Sequence, residues 1–195
     1  MLYDSGEMQL GSACYIYDIN GTENYKIDMN SLCKYAGFTG EYNWKINGMN
    51  KEGNMCLSYK TLMSVSISKE EKTKTYLIDL SKLEERLNEE LMTETVFPEG
   101  SIIAEGEYIE PSDEKYWLYS ANGEWGYIDS EGNIKATYDD ACGFVNGRAM
   151  VIIDGQAHFI DEDFQISEDS VPAYAVRTAG DVFKIDTPDG RIIVY

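Results

Sequence analysis

Thirty-five of the 195 residues carry a carboxylate, and several stand close enough along the chain to act in pairs: Asp139-Asp140, Asp161-Glu162-Asp163, Glu168-Asp169, and Asp186 with Asp189. Two carboxyl groups across a cleft, one with its pKa raised by burial, are the apparatus of glycoside hydrolysis. Trp117, Trp125 and Tyr127 would then offer flat faces to a sugar. Two loops, Asp129-Ser130-Glu131-Gly132-Asn133 and Asp186-Thr187-Pro188-Asp189-Gly190, also gather oxygens around a tight turn, as a calcium site does. Neither has the alternate-position acids and twelfth-position Glu of an EF-hand. With so many acids, neighbouring pairs arise everywhere, and an Asp at a turn has a use of its own. Its side chain bonds the backbone two residues on and shapes the turn. That is the simpler reading of both sets.

Other chemistry has less to stand on. The single histidine, His158, would have to serve any Ser-His-Asp or Cys-His arrangement alone, and it falls in Gln156–Asp161, which reads as a strand. Cys14, Cys33, Cys56 and Cys142 include no closely spaced pair of the kind structural zinc uses. They are expected to be small buried hydrophobes rather than two disulfides. Neither G-x-G-x-x-G nor the phosphate-cradling G-x-x-x-x-G-K motif occurs. The chain is therefore expected to hold no catalytic, cofactor-binding or metal-ligating residue and not to be an enzyme. Sixteen basic residues against thirty-five acidic ones leave a net charge of −19, which disfavours nucleic acid and anionic membrane surfaces alike. No run of about 18 apolar residues is present to insert into a bilayer. The N-terminus lacks the basic start and apolar stretch of a secretory leader. A cytoplasmic location follows if the chain is complete, and a surface or secreted one if a leader has been removed.

These side chains must be carried mostly on strands. Asn-Gly, the strongest short signal for a hairpin turn, occurs at Asn20-Gly21, Asn47-Gly48, Asn122-Gly123 and Asn146-Gly147, amid runs rich in Tyr, Ile and Val. Leu57 to Ile67 places Leu57, Tyr59, Thr61, Met63, Val65 and Ile67 on one face and mostly Ser and Lys on the other, with Leu62 the misfit. Such alternation predicts one buried and one wet face. Lys69-Glu70-Glu71-Lys72 then reads as a charged turn and Thr75–Ile78 as the partner strand. Two helices are expected. One is capped by Asn30 or Ser31 and stopped by Gly37. The other opens on the capping box Ser81-Lys82-Leu83-Glu84 and bears a Leu83, Leu87, Leu91 stripe. Composition shifts over Thr95 to Asp113, which places a boundary near Pro111. The expected fold is mainly β: an α+β portion over residues 1–110, with hairpins and two short helices, then tandem antiparallel hairpins over 111–195.

The second portion repeats itself. Residues 117–134 align without gaps on 149–166, an offset of 32 residues that sets Gly123 on Gly155, Tyr127 on Phe159, Ile128 on Ile160 and Asp129 on Asp161. A third copy from Tyr174, offset by 25 with one extra residue in its last turn, places Gly180, Ile185 and Asp186 on the same positions. Each copy reads as strand, Gly turn, a strand ending in Ile-Asp, and an acidic turn. A two-stranded hairpin is marginal alone, so the copies must pile together.

Gly123-Glu124-Trp125-Gly126-Tyr127-Ile128-Asp129, Gly132, and then Tyr138-Asp139-Asp140-Ala141, Phe144 and Gly147 resemble the signature of the bacterial WG (KWG) repeat family. In the second copy Ala157-His158 replaces Trp-Gly and Phe164 the turn glycine; in the third Val182-Phe183 stands where Trp-Gly would. The resemblance implies an architecture of β-hairpin repeats, whether closed into a barrel or propeller or left as an open solenoid, and no set activity. The function expected is a non-enzymatic module that binds another macromolecule, first of all a protein, and a basic one in view of the charge. Two alternatives are an acidic inhibitor or immunity-type protein directed at a basic partner, and a cell-surface carbohydrate-binding module. No cofactor and no membrane insertion are expected.

Overall fold

The computed structural model describes residues 13–17, 21, 23–38, 43–52, 60–87, 93–112 and 114–195. The chain is mainly β, in several antiparallel sheets. It divides into two compact units, residues 1–105 and 106–195.

In the first unit β1 (Ala13–Tyr17) and β2 (Glu23–Asp28) form a hairpin that runs directly into α1 (Met29–Tyr35). Neither Asn30 nor Ser31 caps this helix. The cap is Asp28, whose carboxylate accepts the N–H groups of Asn30 (3.2 Å) and Ser31 (3.0 Å) and the Ser31 hydroxyl (2.6 Å). The acid that closes the strand already sits where the first turn's unbonded N–H groups converge. Gly37 ends the helix at φ 76°, where its N–H reaches the Lys34 carbonyl.

Next, β3 (Asn43–Glu52), β4 (Lys60–Lys69) and β5 (Lys72–Asp79) pair in order. The β4–β5 hairpin turns at Glu70-Glu71, with Glu70 at φ 57°. Leu57–Tyr59 lie outside the described residues. From Thr61 onward the supposedly wet face of β4 is closed, because Leu62 and Ser64 are fully buried. Its serines tolerate this by bonding side chains of the neighbouring strands. Asn47 donates to the Ser64 (3.2 Å) and Ser66 (2.8 Å) hydroxyls, and Ser66 bonds Thr75 (2.7 Å). This network also explains why Asn47-Gly48 makes no hairpin turn. It is a bulge inside β3, with the Asn side chain tied across the ladder.

The second expected helix is absent from the described residues. Asp79 accepts the Ser81 N–H (3.1 Å) and hydroxyl (2.6 Å), closing a single 3-10 turn over Leu80–Lys82. Leu83 leaves this turn extended, at ψ 145°. β6 (Glu84–Leu87) then pairs with β7 (Thr93–Val96), and β8 (Ile102–Gly106) joins the main sheet beside β5. The Ser81 hydroxyl that would have opened the capping box is spent on Asp79. Arg86 faces Glu94 across the β6–β7 ladder (3.7 Å), Leu83 packs against the core of this unit and Leu87 is exposed, so the two leucines do not share one buried face; Leu91 lies outside the described residues. The core of this unit gathers Cys14, Ile27, Leu32, Trp44, Val65, Ile67, Tyr76 and Ile78. Cys14 and Cys33 here, and Cys142 in the second unit, are buried and outside any disulfide; Cys56 is not among the described residues.

The second unit is a succession of up-and-down sheets. β9 (Tyr108–Glu110), β10 (Trp117–Ala121), β11 (Glu124–Ile128) and β12 (Ile134–Tyr138) form the first. β13 (Asp140–Ala141), β14 (Arg148–Ile153), β15 (Gln156–Asp161) and β16 (Ile166–Pro172) form the second. β17 (Ala175–Ala179), β18 (Val182–Asp186) and β19 (Ile192–Val194) form the third. Strands adjacent in the chain are adjacent in each sheet, and every pairing is antiparallel.

Candidate interaction surface

The three sheets share two turns. The first joins the hairpin strands. Asn122 and Gly123 (φ 55° and 79°), like Asp154 and Gly155 (50° and 72°), both take the left-handed conformation of a type I′ turn. In the third sheet Gly180 comes first (φ 62°) and Asp181 does not follow it there, the pattern of a II′ turn. This one-residue slide changes the alignment of the third copy. Trp117 pairs with Ile128, Ala149 with Ile160, and Ala175 with Asp186. Ile128, Ile160 and Asp186 then pair with Ile134, Ile166 and Ile192. In strand register the third copy follows the second by 26 residues with no insertion, so Asp186, not Ile185, stands where Ile128 and Ile160 stand. Phe183-Lys184, not Val182-Phe183, takes the Trp125-Gly126 position.

The second turn leads from the middle strand to the outer one, and a single side chain builds it. Asp129 Oδ1 accepts the N–H groups of Glu131 (3.0 Å) and Asn133 (2.9 Å). Asp161 Oδ1 does the same for Asp163 and Gln165 (both 2.9 Å). In the third sheet the role passes to the Thr187 hydroxyl, which accepts the Arg191 N–H (3.1 Å). Asp186 is thereby freed to pair with Arg177 (2.7 Å). Thr187-Pro188-Asp189-Gly190 keeps the spacing of Asp129-Ser130-Glu131-Gly132, a signal that was present in the chain. The fourth residue of each turn is left-handed: Gly132 (φ 80°), Phe164 (59°) and Gly190 (80°). These loops use their oxygens on themselves. Burial alone would raise the Asp129 carboxyl, but the Lys135 ammonium at 2.6 Å and the Asn133 and Glu131 N–H groups outweigh it and hold it at about 2. Asp189 is likewise held down by the Thr187 hydroxyl, against the effect of burial, with Arg191 adding to the pull. No cluster among the described residues brings together three potential metal ligands.

Behind the turns lies an aromatic core. Tyr127 is fully buried, edge-on to Phe144 (4.8 Å) and Tyr138 (6.2 Å), and its hydroxyl donates to the Cys142 carbonyl of the next sheet (2.8 Å). Phe164 reaches the same cluster, 4.9 Å from Tyr116 and 6.0 Å from Tyr127. Gly126 faces the backbone of β12, where a Cβ would overlap the Ala136 carbonyl oxygen. Trp125 is half-buried against Tyr108 (5.6 Å). Phe159 packs edge-on against Phe183 (5.4 Å) beneath the Arg148 guanidinium (4.6 Å). Ile128, Ile160 and Ile185 are buried. Burial pushes the Cys142 thiol up to about 12, which removes it as a nucleophile at neutral pH. His158 is half-buried with Nδ1 3.2 Å from the Ser167 carbonyl, and no carboxylate among the described residues bonds to it.

Carboxylates also tie one segment to the next. Asp139 accepts the Asp154 N–H (2.9 Å), and Glu114 accepts those of Asn146 (2.8 Å) and Gly147 (3.4 Å) in the left-handed Asn146-Gly147 turn. Asp140 accepts the Ala141 N–H on one oxygen (3.0 Å) and the Val176 N–H of the third sheet on the other (2.9 Å). Burial raises its carboxyl, with those two donors in part opposing the shift. The roles of Glu114 and Asp140 depend on contacts that no local pattern announces. Asp140→Asn leaves one acceptor oxygen for two donors and turns an amide N–H toward the other. It is expected to destabilise residues 106–195 by about 1–2 kcal/mol in urea unfolding. A change below about 0.3 kcal/mol would show that Asp140 does not couple the second and third sheets.

The outward side of this unit is acidic. It has six basic residues, and five are engaged internally. Lys135, Arg177 and Arg191 pair with Asp129, Asp186 and Asp189, while Lys115 and Arg148 lie over the Tyr116 and Phe159 rings. Exposed carboxylates such as Glu124, Glu131, Asp154, Asp163, Glu168 and Asp181 recur across all three sheets. Ile134, Ile166 and Ile192, each the first residue of an outer strand, are 56%, 50% and 59% exposed. One shallow cleft of about 250 Å³ lies between Val171-Pro172 and the last turn, lined also by Thr187, Arg191 and Ile193. It is smaller than ordinary small-molecule sites. No family model, curated protein or solved structure matches this chain.

Proposed function

We propose that residues 106–195 form a WG-type β-hairpin repeat module, without enzymatic activity, whose acidic surface binds a basic surface of another protein. The observation that carries this reading is the disposition of charge. Five of the unit's six cations are bound to its own acids and rings, while its exposed carboxylates spread over three sheets. Such a surface attracts cationic partners over a distance and repels copies of itself. The shared turns and strand register of the three sheets support the repeat reading. The acidic inhibitor reading draws on the same field and differs in its consequence, since binding would silence a cationic enzyme. The carbohydrate reading loses two of its three platforms, because Trp117 and Tyr127 are buried.

The test is fluorescence anisotropy of the full chain with a labelled Lys/Arg-rich peptide and a Glu-rich control. Micromolar binding of the basic peptide alone is expected, weakening at least about tenfold on going from low salt to about 0.3 M. Equal binding of the two peptides, or indifference to salt, would remove the proposal.

A further inference from the structure

The second turn and the strand after it place the same pair of side chains outward in all three sheets. Two residues after each turn-building residue comes an exposed acid: Glu131, Asp163, Asp189. Three residues later comes an exposed isoleucine: Ile134, Ile166, Ile192. The isoleucines are equivalent by strand pairing, opposite Ile128, Ile160 and Asp186. A branched apolar residue at least half exposed is ordinary once. Its recurrence at one register position in three successive sheets, each time beside a carboxylate, has no account in the packing of the unit.

Local charge decides what fits this set of ledges. Around Ile134 the carboxylates of Asp129 and Glu131 are offset by Lys135, bonded to Asp129 at 2.6 Å. Around Ile192 the Asp189 carboxylate shares its charge with Arg191 at 2.7 Å. Around Ile166 stand Asp161, Glu162 and Asp163, with Glu168 and Asp169 following on the same strand, so five acids outnumber the two cations that approach this turn, Lys115 near Glu162 and Asp163 and Arg148 opposite Asp161. A second copy of this chain would bring like charge against like. Resting on the reading proposed above, we infer that the three ledges form a docking surface for a protein segment in which apolar side chains alternate with Lys or Arg. Its strongest contact is at Ile166. The apolar residues cover the isoleucines, and the cations meet the turn acids.

The probes are a twelve-residue peptide of alternating Leu and Lys and one of alternating Ser and Lys, of equal charge, titrated into the full chain. The Leu/Lys peptide is expected to bind about thirtyfold more tightly. Ile166→Ser should weaken it about fivefold and the Ile134→Ser/Ile166→Ser/Ile192→Ser variant about thirtyfold, to the level of the Ser/Lys peptide, whose own binding stays unchanged. The matching triple Val variant should retain binding, which separates loss of the ledge from loss of fold. Equal binding of the two peptides, or a triple Ser variant that binds Leu/Lys as the parent does, overturns the docking surface and leaves the electrostatic module standing. Concentration-dependent self-association abolished in the triple variant would overturn it too, by making a second copy the occupant. If neither peptide binds, the proposed function fails first.

Discussion

Gly126→Ala is expected to destabilise residues 106–195 by about 2–3 kcal/mol, although it adds one methyl group. The reason is position. The new Cβ would overlap the carbonyl oxygen of Ala136 and stand 3.0 Å from both the Ala136 carbonyl carbon and the Thr137 Cα. Those are backbone atoms of β12, which no rotamer change can move aside. Gly126 does not have a positive φ, so the effect owes nothing to glycine's conformational freedom. Gly123→Ala makes the useful contrast. That residue sits at φ 79° with open space around it, and its substitution should cost only about 1 kcal/mol. Because β12 is the outer strand of its sheet, relief comes by peeling it away, so its amides should exchange much faster in the Gly126→Ala variant. A melting temperature for that variant within about 1 °C of the parent would refute the close-approach account.

Tyr127→Ala should be still more damaging, at about 3–5 kcal/mol. The ring is fully enclosed at the centre of a cluster that includes Phe144, Tyr138 and Phe164, and its removal opens a hole bordered by half-rigid aromatics. Tyr127→Phe separates packing from bonding. It keeps the ring and loses only the 2.8 Å bond to the Cys142 carbonyl, for an expected cost of about 1 kcal/mol. Urea unfolding of residues 106–195, read by amide exchange within the first sheet, follows both variants. A Phe variant as weak as the Ala variant would place the energy in the hydroxyl bond, and an Ala variant within about 1 kcal/mol of the parent would mean the cluster does not hold the first sheet.

How legible this was in the chain depended on how local each signal is. Asn122-Gly123 announces its turn because both residues are suited to positive φ, whatever surrounds them. Asn47-Gly48 carries the same letters and becomes a bulge, because the Asn side chain finds Ser64 and Ser66 across a ladder that no local pattern reveals. The Ser81 capping box fails for a local reason: Asp79, two residues earlier, takes the hydroxyl first. Matching letters placed the third copy one residue out of step, since Gly180 serves the first position of its turn and not the second. Asp129 and Asp161 are legible as turn builders because their bonds run to the next four residues. Asp140 and Glu114 escaped because their partners lie more than thirty residues away.

Phe164 has a consequence of its own. Glycines hold the corresponding places in the first and third sheets without strain, whereas a phenylalanine at φ 59° stays left-handed only while something grips it. The grip is the ring's seat among Tyr116, Tyr127 and Phe144. The loop bearing Asp163 and Ile166 is thus hung from the interior like a latch from its hinge. Whatever loosens the aromatic interior lets that latch drop, so the most acidic part of the exterior takes its shape from packing on the other side of its own backbone.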